Sequence, residues 1–247
     1  MHNAALAAVG LADWRYLRLP LPPALFEETV RALPAAGFRG VNVTIPHKHA
    51  ALALADDVTV AAQTIGAANT LTFEDGRIHA DNTDAPGLLT AIREPVAGRS
   101  ALVLGAGGAG RAAAWALHTA GARVAVWNRT AERARELAGA LDVRGVTTPE
   151  RAEILVNCTS VGLHEGDDPF KALPIEADEL GAGSLVVDMV YRAGGTQLLE
   201  AARTRGARVV DGLEVLVAQG AASFERWTGL AAPREAMRAA ATTIAIT

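Results

Sequence analysis

An α/β fold in two parts is what this sequence predicts, on three observations. Strand-like and helix-like segments alternate along the chain. A G-x-G-x-x-G turn at Gly105, Gly107 and Gly110 stands between an apolar strand-like run and a helical run. The stretch from Glu94 to Ser100, holding Pro95 and Gly98, separates two periodic blocks.

In the first block, Arg15–Leu19 and Gly40–Thr44 read as short strands. Between them Ala24–Leu33 has helical periodicity, and Pro22-Pro23 suits its start. Asn69–Phe73 and Arg77–Ala80 flank Glu74-Asp75-Gly76, a hairpin signal. Ala85–Ile92 reads as a helix with Pro86 in its first turn. In the second block, Ala101–Leu104 is a buried-strand run, followed by the glycine turn and the helical stretch Arg111–Thr119. Arg123–Trp127 is the next strand and Ala131–Ala140 the next helix. Ile154–Asn157, Ser184–Asp188 and Arg208–Val210 are further strands, and helices at Leu213–Trp227 and Pro233–Ile244 close the chain.

Composition narrows the function. The 247 residues, half of them hydrophobic, suffice for one large or two small cores. A net charge of −4 lacks the basic footprint that nucleic acid demands. The lone cysteine, Cys158, excludes an intrachain disulfide and suits a reducing compartment. Cys158 itself reads as a small buried residue. No apolar run reaches the roughly 18 residues of a membrane span. The N-terminus lacks the basic start of a signal peptide. A cytoplasmic protein without nucleic-acid or membrane partners is therefore expected. The six histidines show no metal-ligand spacing, so no metal is expected, and His47 and His49 are expected to face solvent. Ser160 does not sit in a nucleophile elbow.

The glycine turn admits a pyrophosphate for steric and electrostatic reasons. Glycines let the backbone approach it, and the following helix start offers unpaired N–H groups and partial positive charge. The blander alternative is a turn that only packs helix on strand. The flanking strand and helix favour the dinucleotide, with Gly105, Ala106, Gly107, Gly108, Ala109 and Gly110 as its cradle. The next strand chooses between cofactors. An NAD site carries an acidic residue about 20 residues on, at the end of that strand. Here the strand runs into Asn128, Arg129 and Thr130, with Arg133 one turn further, and no carboxylate stands there. Two guanidinium groups on one face suit a phosphate, so NADP is expected rather than NAD.

Three polar clusters lie at strand ends: Asn42-Val43-Thr44-Ile45-Pro46-His47-Lys48, Ala68-Asn69-Thr70 and Asp81-Asn82-Thr83-Asp84. Ligands of open α/β sheets collect at such ends, so the clusters are expected to converge on one cleft. Alone, Lys48 reads as a solvated helix-start lysine and Asp84 as an N-cap ahead of Pro86.

With these pieces in order, the chain resembles the shikimate dehydrogenase family. The resemblance rests on NVTIPHK (42–48), AANT (67–70), DNTDAPG (81–87), GAGGAG (105–110), NRTAER (128–133), NCTSVG (157–162), DMVY (188–191) and DGLEVLVAQG (211–220). It implies an α/β substrate domain over 1–94, a Rossmann-like NADP-binding domain over 95–212, and C-terminal helices (213–247) returning to the first. It implies Lys48 and Asp84 as the catalytic pair and Thr44, Asn69, Tyr191 and Gln219 as substrate ligands. Met189 and Gly212 would lie by the nicotinamide, and Asn128 to Arg133 by the adenosine 2′-phosphate. The implied reaction is reversible reduction of 3-dehydroshikimate to shikimate with NADPH, in aromatic amino-acid biosynthesis. The rivals are a quinate enzyme using NAD and a weakly catalytic NADPH-binding regulator. A homodimer is left open.

Three departures accompany the resemblance. The family has a strand ending in Ser-x-Ser-Pro ahead of the Met-His-Asn at which this chain begins. A natural head lost through a downstream start is therefore expected, with serines that would hold the substrate carboxylate. Glu214 stands where glycine is common, and Ala193 where proline is common, so both are expected to disturb placement near the nicotinamide.

Overall fold

The computed structural model describes residues 1–192 and 194–244, so the position at Ala193 lies outside the described residues. The chain forms two sheets. The first block holds α1 (His2–Ala8), α2 (Phe26–Ala32), β1 (Gly40–Asn42), α3 (Lys48–Leu54), β2 (Asp57–Val58), α4 (Val60–Ile65), β3 (Thr70–Glu74), β4 (Arg77–Asp81) and α5 (Asp84–Ile92). Its four strands lie in the order β1-β3-β4-β2, with β1, β3 and β4 antiparallel and β2 parallel to β4. The β3–β4 hairpin turns on Asp75 and Gly76, both at positive φ (49° and 73°), the conformation a two-residue hairpin turn requires.

The second block holds β5 (Ser100–Leu104), α6 (Gly108–Thr119), β6 (Arg123–Trp127), α7 (Ala131–Leu141), β7 (Arg144–Val146), β8 (Ile154–Asn157), α8 (Pro169–Ala172), β9 (Leu185–Asp188), α9 (Gln197–Thr204) and β10 (Arg208–Val210). These six strands are all parallel, in the order β10-β9-β8-β5-β6-β7. That is the order of a dinucleotide-binding sheet, in which the direction of winding reverses between β5 and β8. Both faces are covered. Val103 and Val156 meet Leu117 and Leu137 on one side, and Leu102, Leu155 and Val186 meet Leu198 and Leu199 on the other. This is why β8 and β9 are unbroken apolar runs up to their last residues. Each such fully buried leucine or valine contributes roughly 1.5–3 kcal/mol.

The chain then returns. Helix α10 (Gly212–Thr228) is capped by Asp211, whose carboxylate accepts from Glu214 N (3.0 Å), and ends at left-handed Gly229. Its Trp227 Nε1 donates to Leu71 O of β3 (3.1 Å). The same indole fills the space a side chain at Gly40 would need. Phe224 of α10 and Met237 of α11 (Arg234–Ile244) pack with Ala5 and Leu6 of α1.

Most expected elements appear within a few residues of their expected bounds. One is corrected: Arg15–Leu19 is irregular and joins no ladder. A side chain takes the place of a neighbouring strand there. Asn3 Nδ2 donates to Tyr16 O (3.0 Å) and Asn3 Oδ1 accepts from Tyr16 N (2.7 Å). Tyr16 also stacks on the buried ring of His2, with centroids 4.2 Å apart and planes 9° from parallel.

Burial, reinforced by the nearby N-terminal charge, pushes the His2 imidazole down to about 4. The fold therefore prefers neutral His2. That contribution is complete above the unfolded value of 6.5 and is lost as pH falls toward 4. The difference in unfolding free energy between the wild type and His2→Phe should change by on the order of 3 kcal/mol between pH 7 and pH 4. Parallel denaturant titrations check this, and a constant difference across that range would refute it.

Candidate functional site

The two sheets present their site residues from the ends of strands and the starts of helices. At the carboxyl end of β5, Gly105 takes φ +105° and its N–H donates to Trp127 O (2.7 Å). A side chain at Gly110 would run into the Gly105 carbonyl, and one at Gly105 would come within 3.0 Å of Cys158 O. The turn is therefore closed to anything but glycine at these two positions. Asn128 pins it from β6: its Oδ1 accepts from Ala106 N (3.1 Å) and its Nδ2 donates to Thr130 O (2.9 Å). Arg129 and Arg133 beside it are exposed, and neither guanidinium has an ion pair among the described residues. The start of α6 has no side-chain cap. Free helix-start N–H groups, a cradle with glycine at four of its six positions and two uncommitted guanidinium groups fit a dinucleotide carrying an extra phosphate.

Lys48 and Asp84 open α3 and α5. Lys48 Nζ lies 2.6 Å from Asp84 Oδ2, with the two side chains only 13% and 10% exposed. Asp84 Oδ1 accepts from Asn69 Nδ2 (2.8 Å). Asn69 is fixed in turn, since its Oδ1 accepts from Thr83 N (2.7 Å) and its Nδ2 also lies 3.3 Å from Gln219 Oε1. The solvated-lysine alternative is thereby excluded. So is the N-cap alternative, because Asp84 is already the first helical residue and Asn82 Oδ1 accepts from Ala85 N (3.2 Å). A carboxylate in the first turn of α5 also meets the favourable end of the helix dipole.

Thr44, Lys48, Asn69, Asp84, Tyr191 and Gln219 all line one cavity of about 630 Å³, together with Ala109, Met189 and Gly212. The glycine turn closes on it, because a Cβ at Gly108 would stand 3.1 Å from Lys48 Cδ. Gly105, Ala106, Gly107, Gly108, Gly110, Asn128, Arg129, Thr130 and Arg133 do not line this cavity; they follow the carboxyl ends of β5 and β6. Tyr16, Arg18 and Asn42 line it without having been assigned a role from sequence. Tyr16 OH donates to Asn42 Oδ1 (3.0 Å). The signal was present in the spacing: Tyr16 and Arg18 stand two residues apart, as do Asn42 and Thr44.

Two further expectations are corrected. Glu214 does not face the cavity; its carboxylate pairs with Arg93 (3.4 Å) and with Arg238, joining α5 to α11. His47 is not a free surface group, since its ring stacks on Phe26 (4.5 Å) and lies 2.9 Å from Leu21 O. Exposed His49 bonds Gly66 O (2.8 Å). Cys158 is half-buried against the second core, and burial pushes its thiol up, which keeps it inert. No cluster of metal-ligating side chains occurs among the described residues. Nor is any of their helices long and apolar enough to cross a membrane.

Three family descriptions match: shikimate dehydrogenase substrate binding domain over residues 1–71, shikimate / quinate 5-dehydrogenase over 88–159, and shikimate 5′-dehydrogenase C-terminal domain over 212–242. An NADP(+) shikimate dehydrogenase of Thermus thermophilus is 46% identical over 98% of this chain and 91% of its own. The shikimate 5-dehydrogenase from another strain of Thermus thermophilus, solved with NADP(H) and shikimate, superposes with a TM-score of 0.89 at 43% identity, over 98% of this chain and 92% of that one. The 5-ketofructose reductase of Gluconobacter sp. strain CHM43 superposes with a TM-score of 0.88 at 29% identity, over 98% and 91% of the two chains.

Gln219 reaches the cavity because α5 and α10 cross closely at Gly87. A Cβ there would lie 2.8 Å from both Gln219 N and Gln219 Cβ. Gly87→Ala must therefore spread two backbones, at a cost of roughly 1–3 kcal/mol. Thermal unfolding should show the corresponding fall in Tm, and an unchanged Tm would contradict the close crossing.

Proposed function

The chain belongs to the shikimate dehydrogenase family, and from that premise we propose that its cavity reduces 3-dehydroshikimate reversibly to shikimate with NADPH. The observation that carries this reading is the Lys48–Asp84 pair, 2.6 Å long and sheltered from water, beside the glycine turn. NADPH, when bound, supplies the hydride. As a ketone is reduced, negative charge gathers on its oxygen. The Lys48 ammonium stabilises that charge and delivers the proton from Nζ. Asp84 holds the ammonium in place, and Asn69 holds Asp84. In the oxidative direction Lys48 takes the hydroxyl proton back. Thr44, Asn69, Tyr191 and Gln219 hydrogen-bond the hydroxyl and carboxylate groups of the substrate, while Met189 and Gly212 flank the nicotinamide. Asn128, Arg129, Thr130 and Arg133 hold the adenosine 2′-phosphate.

This reading divides the chain into a substrate domain, 1–94 with 213–247, and an NADP-binding domain, 95–212, in keeping with the two sheets. A cytoplasmic setting goes with it, supported by the single cysteine. Against a quinate enzyme using NAD stand the two uncommitted arginines and the absence of a carboxylate at the end of β6. Against a weakly catalytic regulator stands the intact ion pair. The ketofructose relative shares the fold at much lower identity than the Thermus enzyme, so the keto acid is favoured over a ketosugar.

Lys48→Ala should lower kcat for NADP⁺ reduction by shikimate by roughly 10³-fold while NADPH still binds, as followed by its fluorescence. Turnover at the wild-type rate would remove Lys48 from the mechanism. Replacing Arg129 and Arg133 together by alanine should cut the preference for NADPH over NADH by roughly 100-fold, through KM and with little change in kcat for NADH. A preference that survives the double substitution would place the 2′-phosphate elsewhere.

A further inference from the structure

The described residues contain one fully buried carboxylate that the mechanism above does not use. Asp188 ends β9, is 0% exposed, and has no cation as a partner among them. Its Oδ1 accepts from Asn157 Nδ2 (2.9 Å) and Val190 N (3.1 Å), and its Oδ2 accepts from Thr196 Oγ1 (2.6 Å). Asn157 is its direct neighbour across the parallel ladder and ends β8. That amide works on the loop after its own strand. Its Oδ1 accepts from Thr159 N (3.1 Å) and Thr159 Oγ1 (2.7 Å), and its Nδ2 donates to Val161 O (3.0 Å). One carboxylate and one amide thus fix the two loops that leave the carboxyl ends of β8 and β9.

Each loop then touches a wall of the dinucleotide site. On one side, Cys158 O and Thr159 Cγ2 lie 3.0 and 3.3 Å from where a Cβ of Gly105 would stand. On the other, the Met189 carbonyl and the Val190 carbonyl lie 2.7–2.8 Å from where a Cβ of Gly212 would stand. Met189 and Gly212 line the cavity that holds Lys48. The crevice between β5 and β8, where strand order reverses, is where a ligand of such a sheet belongs. We propose that Asp188, acting through Asn157, is a positioning residue that sets the loops at 158–161 and 189–191 against the nicotinamide end of the bound cofactor.

The chemistry of the carboxylate supports a role beyond stability. Burial pushes its pKa up to about 6, so above that pH the fold keeps a charge it would hold more cheaply neutral. An asparagine in its place retains one oxygen for Asn157 and Val190, and turns its NH₂ toward Thr196 Oγ1, which can accept. An alanine releases both loops.

This inference rests on the reading of the site as an NADP site, and its test uses binding so that it stands apart from shikimate turnover. Two probes separate the halves of the cofactor. NADPH reports the nicotinamide end through its fluorescence, and adenosine 2′,5′-bisphosphate carries only the phosphorylated adenosine end. For Asp188→Ala the dissociation constant of NADPH should rise roughly 100-fold, the penalty of a misplaced binding group, while that of the bisphosphate, by calorimetry, stays within about twofold. Asp188→Asn should restore most of the loss, and Asn157→Ala should reproduce the alanine pattern, which serves if Asp188→Ala does not fold. Equal weakening of both probes would mean a structural role only and overturn the proposal, as would wild-type NADPH binding in both alanine variants. A wild-type protein that binds NADPH but leaves shikimate unoxidised would instead refute the proposed substrate and leave the Asp188 result intact.

Discussion

A charged pair sheltered from water is the constraint around which this molecule is arranged. Lys48 and Asp84 lose most of their hydration, and such a pair persists only if its geometry is good and its spare lone pairs are filled. Each partner is supplied by the first residue of a helix, so neither can drift without moving a helix end. The second carboxylate oxygen is filled by Asn69, whose own oxygen is held by the backbone of Thr83. Helix α10 seals the far side with Gln219, and reaches it only because Gly87 lacks a side chain. The glycine turn closes the near side, with Gly108 against the aliphatic stem of Lys48. Elements from five parts of the sequence therefore meet around one ion pair.

Much of this was legible in the residues, and the reasons for the remainder are physical. Strand β8 was readable to its end residues, because a parallel strand buried on both faces leaves an apolar run with sharp edges. Asp75-Gly76 announced the hairpin, since few other residues accept positive φ. Helices α1, α3, α4 and α9 escaped: each is only six to eight residues long, too short for a 3.6-residue period to stand out. The 2.6 Å contact of Lys48 with Asp84 joins residues 36 apart, and no local pattern encodes it. Resemblance to a family carried that part. Glu214 shows the opposite failure, because its place in sequence beside Gly212 suggested the nicotinamide, whereas the helical turn directs it to Arg93 and Arg238.

Substrate choice is not a property of the fold. A shikimate dehydrogenase and a ketofructose reductase superpose on this chain almost equally well. Shikimate and ketofructose are both polyhydroxylated, and the chemistry proposed for Lys48, an ammonium facing a hydride donor, suits a ketone on either skeleton. Discrimination must come from the polar lining, where Thr44, Tyr191 and Gln219 combine with Tyr16 and Asn42. Tyr16 belongs to a segment held by side-chain bonds from Asn3 rather than by a ladder, and it reaches Asn42 from there.

Three buried or half-buried carboxylates meet the cost of desolvation in three ways. Asp84 shares one ammonium and one amide, Glu214 draws two guanidinium groups from separate helices, and Asp188 takes neutral donors alone. The first two arrangements hold the first sheet and its returning helices to their places. The third leaves an ionised group opposed by its own burial above about pH 6, a penalty that a neutral amide would not carry. Such a penalty survives in a marginally stable protein only when something other than stability is gained. The gain here is directional. A carboxylate accepts along several lone pairs at once, so it gathers Asn157, Val190 and Thr196 around one point without turning a donor toward any of them. On the proposed reading Asp84 anchors a charge that acts, and Asp188 anchors a backbone that stays still.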